Sequence, residues 1–158
     1  MNAIRPSATP MAASQDQEKL ASNYIADLRN RIDSLRTHFY HIESEFNAGF
    51  QSYEQPPTHH GFAELGLLGQ LLTRYRQCRD EAEMNAGLNL QRDDVTEAQT
   101  FSNQFKRVSA MLADLGRHDN DANPYDCYEV WQQTSDAFLK FIAAEAAAVE
   151  EASGSKDA

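Results

Sequence analysis

The residues with the widest chemical range in this 158-residue chain are His38, His41 and Glu45. Their spacing, i, i+3 and i+7, sets them on roughly one side of a helix. Imidazole nitrogens beside a carboxylate suit zinc or iron. A closed site needs a fourth ligand, and His60, or its neighbour His59, just after Pro56-Pro57, is the nearest source. The same positions flank an apolar stripe, so an ordinary polar helix boundary explains them with fewer assumptions. Better-defined metal patterns are missing. No Glu is followed three places later by His, and neither His-x-x-x-His nor His-Glu-x-x-His occurs. Asp119-Asn-Asp-Ala-Asn123 opens like a calcium loop, but its sixth position is Pro124 and its twelfth is Val130, where Gly and Glu are required. It reads as a polar turn.

Covalent and phosphate chemistry have no local support. Gly-x-Ser-x-Gly is absent, as are both glycine-rich phosphate motifs. Glu81 and Glu83 diverge on a helix because positions two apart do not share a face. Cys78 and Cys127 lie 49 positions apart with no Cys-x-x-Cys, so each suits a small buried apolar group. No cofactor is expected.

Charge narrows the partners. Asp plus Glu number 24 against 14 Lys plus Arg, a formal charge of −10, and the last 36 residues hold seven acids and two bases. Such a chain has no general attraction to nucleic acid or anionic membrane. Two arginine groups run against this trend, Arg29, Arg31, Arg36 and Arg74, Arg76, Arg79. Pairing with acidic neighbours is the usual fate of such groups. The alternative is an anion-binding groove using Arg29, Arg36 and Arg76.

The elements that must carry these groups are read from apolar spacing. Ala21, Ile25, Leu28, Ile32, Leu35, Phe39, Ile42 and Phe46 recur at steps of 4 and 3, a sustained heptad. Ser14 to Gln17 resembles a capping box at its start. Asn47-Ala-Gly49 ends or bends this helix, and Pro56-Pro57 stops it. A second helix is expected from about Thr58 to Ala86, with Gly87 as its stop. Leu65, Leu68, Leu72 and Tyr75 form one stripe and Leu67, Leu71 and Cys78 a second, so this helix is expected to be the most enclosed. Gly61, Gly66 and Gly69 weaken it, and close approach of a neighbour is the expected compensation. A third helix follows the cap at Asp94 and stops at Gly116. A fourth enters at Asn123-Pro124, with Tyr128, Trp131, Ser135, Phe138, Ile142 and Val149 on one face.

No β alternation competes with these signals. The fold expected is all-α, an antiparallel four-helix bundle over residues 14–152 with a long first helix. Residues 1–13 and 153–158 are expected to be disordered. No secretory signal and no spanning stretch is present, which favours a cytoplasmic protein; the Ala/Ser/Thr/Pro-rich leader also fits export by a specialised secretion system.

The functional reading is a non-enzymatic acidic module that binds a protein through a helix face, as an adaptor, chaperone-like or inhibitor-like chain. A partner with a basic surface suits its charge, and a homodimer would use the extra length of helix one. Most aromatics are expected in the core. Tyr40 and Phe50 lie off the heptad and Tyr53 lies in the linker, so these three are the candidate partner-binding residues. A metal-binding bundle and a secreted effector or structural subunit are the competing readings.

Overall fold

The computed structural model describes the backbone of residues 5–51, 59–90, 96–116 and 124–157, with side chains within 15–48, 63–90, 97–115 and 126–154. Four helices account for nearly all of it: α1 (Arg5–Gln51), α2 (His59–Ala86), α3 (Thr96–Gly116) and α4 (Pro124–Asp157). Among the described residues there is no strand, and no helix is long and apolar enough to cross a membrane.

The heptad of α1 is the spine of the core. All eight of its members are at most 4% exposed, whereas most positions between them face water. A stripe that narrow buries only where two partners close over it from either side, and α2 and α4 do so. The helices form a square. Each touches its two neighbours, and the diagonal pairs α1–α3 and α2–α4 have no close backbone approach.

Aromatic stacking sets the register. Phe39 lies flat on Phe138, with ring centroids 3.9 Å apart and planes 12° from parallel. Phe46 meets Trp131 at 4.5 Å. Arg29 reaches Glu150 at the far end of the same seam. Residue numbers fall on one helix as they rise on the other, so α1 and α4 are antiparallel. Gln17 with Asn85, Cys78 with Asp27 and His38 with Glu64 show the same for α1 and α2. Phe101 carries the aromatic cluster into α3, 5.3 Å from both Phe138 and Phe141.

Several boundaries and burials differ from the sequence reading. The backbone of α1 is helical from Arg5, ahead of the start expected at Ser14, and runs unbroken through Asn47-Ala-Gly49. Ala8, Ala12 and Ala13 are strong helix formers, which favours the upstream extension. At 47 residues α1 is about 70 Å long. Its early turns pass beyond the end of α2, which lies beside Gln17. Continued upstream of Ala21, the heptad positions are Glu18, Ser14 and Met11. α4 likewise stays helical to Asp157, past Ser153. The turn Asp119–Asn123 lies outside the described residues.

The most enclosed helix is α4, not α2. Ala137-Phe138, Phe141-Ile142 and Ala148-Val149 are buried as adjacent pairs, because α4 packs on both α1 and α3. Leu67 of α2 is 46% exposed, because the α2–α3 edge is thin and the outer stripe of α2 has no third neighbour. The glycines of α2 are not all explained by close approach either. A Cβ at Gly66 would meet nothing within 4 Å, and one at Gly69 would touch the Phe105 ring at 3.8 Å, an ordinary contact.

Gly87, at φ 65°, ends α2 in the left-handed conformation that glycine adopts without strain. The Leu88 amide then donates back to the Ala82 carbonyl at 3.4 Å. This turns the chain inward, so that Leu90 is buried and Leu88 packs against the core. α3 has only 21 residues against 34 in α4, and both leucines join the common core cluster.

Two substitutions test this packing. Gly66→Ala should stabilise the fold by about 1 kcal/mol, since it improves helix propensity without a clash. Phe39→Ala should cost about 3–5 kcal/mol by opening a cavity in the stacked centre. Denaturant midpoints at unchanged m-value measure both.

Candidate functional site

The antiparallel register of α1 and α4 opens a groove on their outer side. Arg29, Asp33 and Arg36 of α1, Ala146 and Glu150 of α4, and a floor of Ile32 and Val149 line a cavity of about 280 Å³. Each wall is a helical stripe, so each continues at steps of 3 and 4. On α1 the series Arg29, Asp33, Arg36 leads to Tyr40. On α4 the series Glu150, Ala146, Ala143 leads to Leu139. Both continuations end in exposed apolar side chains, Tyr40 at 52% and Leu139 at 39%. They stand one residue beyond Phe39 and Phe138, the pair stacked beneath them.

The electrostatics of the groove are balanced. Arg29 donates to both oxygens of Glu150, at 2.6 and 2.9 Å, and to Ser153 Oγ at 3.1 Å. This holds the Glu150 carboxyl below the usual range, the Arg29 hydrogen bond being the main cause. Arg36 is held more loosely, 3.9 Å from Asp33. The proposed anion set therefore divides: Arg29 and Arg36 share this groove, with carboxylates already beside them, while Arg76 is exposed on α2.

The histidines also separate. His38 Nε2 lies 3.2 Å from the Glu64 carbonyl oxygen and 3.5 Å from Glu64 Oε2, tying α1 to α2. His41 pairs with Glu45 on its own helix at 3.3 Å and stays exposed. Among the described residues no three His, Cys, Asp or Glu side chains converge as metal ligands would. The side chains of His59, His60 and Phe50, and all of Tyr53, lie outside the described residues.

One cluster escaped the sequence reading. Glu145 is 1% exposed in the core of α4. Tyr75 Oη donates to its Oε1 at 2.7 Å, and Arg79 Nη1 donates to Oε1 and Oε2 at 2.6 and 2.9 Å. Arg79 also donates to the Leu90 carbonyl and lies 3.6 Å from Glu83. These long side chains bridge the diagonal from α2 to α4 and pin the connection that leads to α3. A signal was present. The α4 stripe has a seven-residue gap between Ile142 and Val149, and Glu145 fills it at the step of 3 that a core position demands.

The two thiols are buried and inert. Burial, with a hydrogen bond donated to Asp27 Oδ2 at 3.1 Å, pushes Cys78 up to about 11. Burial alone pushes Cys127 up to about 12. Neither can serve as a thiolate nucleophile near neutrality.

No protein family, curated protein or solved structure matches the chain.

Glu145→Ala should cost about 3–5 kcal/mol, since it strands the largely buried Arg79 charge. At this chain length that lowers the melting temperature by about 10 °C, and replacing Glu145 and Arg79 together by leucine should recover most of it. The thiols give a pH signature. Their folded pKa values stand above the ordinary 9.0, so the stability they contribute is complete below pH 9 and lost as the pH rises toward 11 to 12. Cys127→Ala should flatten that alkaline decline in chemical denaturation.

Proposed function

We propose that this chain is a non-enzymatic, acidic protein-binding bundle that meets its partner through the α1–α4 face. The observation that carries this is Tyr40, exposed one helical turn beyond Arg36, which lines the groove. Tyr and Arg are the side chains that most often anchor protein interfaces, the first by rigid amphipathic area and the second by its planar fork of donors. The groove offers little else to chemistry: its charges are paired, its floor is aliphatic, and the buried thiols lie away from it.

The chain as a whole carries an acidic excess of ten charges. It would steer a partner with a basic surface toward the bundle without fixing its pose. Two free cysteines fit a reducing, cytoplasmic setting, although passage through a specialised export system is compatible with the same thiols.

A photoreactive amino acid in place of Tyr40 tests the reading in cells. Protein adducts should form from position 40 and not from position 77 on the outer face of α2, and Arg36→Glu should suppress them. Equal labelling from both positions, or none from position 40, would refute it.

A further inference from the structure

Residues 87–90 lie outside any helix, yet Leu90 is 1% exposed. The chain reverses at Gly87, whose φ of 65° costs a glycine no strain. Beyond it the Leu88 amide reaches the Ala82 carbonyl at 3.4 Å, longer than a usual hydrogen bond. A side chain makes the stronger tie: Arg79 Nη2 donates to the Leu90 carbonyl. That guanidinium is itself held from α4, 66 positions away, where both Glu145 oxygens accept from Nη1 at 2.6 and 2.9 Å. We propose that residues 87–90 form a strap that opens and closes separately from the bundle, and that Glu145 keeps it closed by aiming Arg79.

The aiming follows from the shape of the group. A guanidinium is planar and rigid, so holding two of its nitrogens fixes the direction of the third. Nη1 is on Glu145 and Nε lies 3.6 Å from Glu83, which leaves Nη2 directed at the Leu90 carbonyl. Tyr75 steadies the carboxylate in turn, donating to Glu145 Oε1 at 2.7 Å. A change on α4 is therefore felt at the end of α2, although the two helices have no close backbone approach. The separate opening follows from what it breaks. Lifting the strap costs the Leu90 carbonyl bond, the long Leu88 bond and the burial of two leucines. Arg79 and Glu145 keep each other, so no buried charge is stranded. The Arg79 side chain is 15% exposed, so water takes the place of the Leu90 carbonyl at Nη2. Opening of this kind costs less than unfolding four helices. None of these residues lines the α1–α4 groove, so the strap is a device distinct from that face.

Native-state amide exchange of the full chain, followed residue by residue over a series of low urea concentrations, tests both parts. The Leu88 and Leu90 amides should exchange faster than those of Phe39 and Ile42 in α1, and with little dependence on urea, the mark of a local opening. Glu145→Gln leaves one acceptor oxygen where there were two. Arg79→Lys replaces the fork by a point charge that cannot span Glu145 and the Leu90 carbonyl together. Each should speed exchange at Leu88 and Leu90 at least about tenfold, the worth of one charge-assisted hydrogen bond, while the urea dependence there stays small. General destabilisation would instead raise exchange with the steep urea dependence of α1. Helical circular dichroism shows whether each variant keeps its fold. Exchange at Leu88 and Leu90 that tracks urea as α1 does in the unaltered chain would overturn the separate opening. A separate opening that neither folded variant accelerates would overturn the role of Glu145. If Glu145→Gln does not fold, Arg79→Lys and the urea series of the unaltered chain still decide.

Discussion

Everything in this bundle hangs on the seam where Phe39 lies on Phe138. Two aromatic rings stacked at 3.9 Å between antiparallel helices permit one register and resist sliding, because a shift of even one residue would rotate both stripes out of the core. With that register set, Phe46 finds Trp131, Arg29 finds Glu150, and the outer stripes of α1 and α4 run side by side. The groove follows from this alignment. Its floor is the last apolar layer of the seam, and its walls are the residues that flank the core on either helix.

The interior holds one large polar exception. Burying a carboxylate costs several kcal/mol unless its oxygens are fully engaged. Glu145 meets that requirement through Tyr75 and Arg79, and Arg79 in turn holds the Leu90 carbonyl. The network spans the diagonal of the bundle, where α2 and α4 have no close backbone approach. An apolar replacement could satisfy the energetics as well. The charged network also ties the start of the α2–α3 connection to the core, since Arg79 holds the Leu90 carbonyl.

Surface charge divides the molecule into two kinds of face. The last 36 residues hold seven acids and two bases. On the α1–α4 flank Arg29 and Arg36 stand beside Asp33 and Glu150, and Tyr40 is exposed one turn beyond Arg36.

The amino-acid sequence alone determined the all-helical class, the positions at which α2 and α4 begin and α2 and α3 end, and the buried face of α1, whose eight heptad members are all in the core. These are local matters: the 3.6-residue period, a proline at a first turn, and a glycine able to take positive φ act within a few residues of themselves. Tertiary structure decided the rest. Whether His38 and His41 share a ligand depends on which neighbour each meets, and α2 takes the first while Glu45 takes the second. Whether Arg29 is free depends on Glu150, 121 positions away. Glu145 was visible as a gap in a stripe, but only the approach of Tyr75 and Arg79 shows why a carboxylate is tolerated there. Pairing across a bundle is set by register between distant segments, and a periodic pattern marks a helix face without saying which face it will meet.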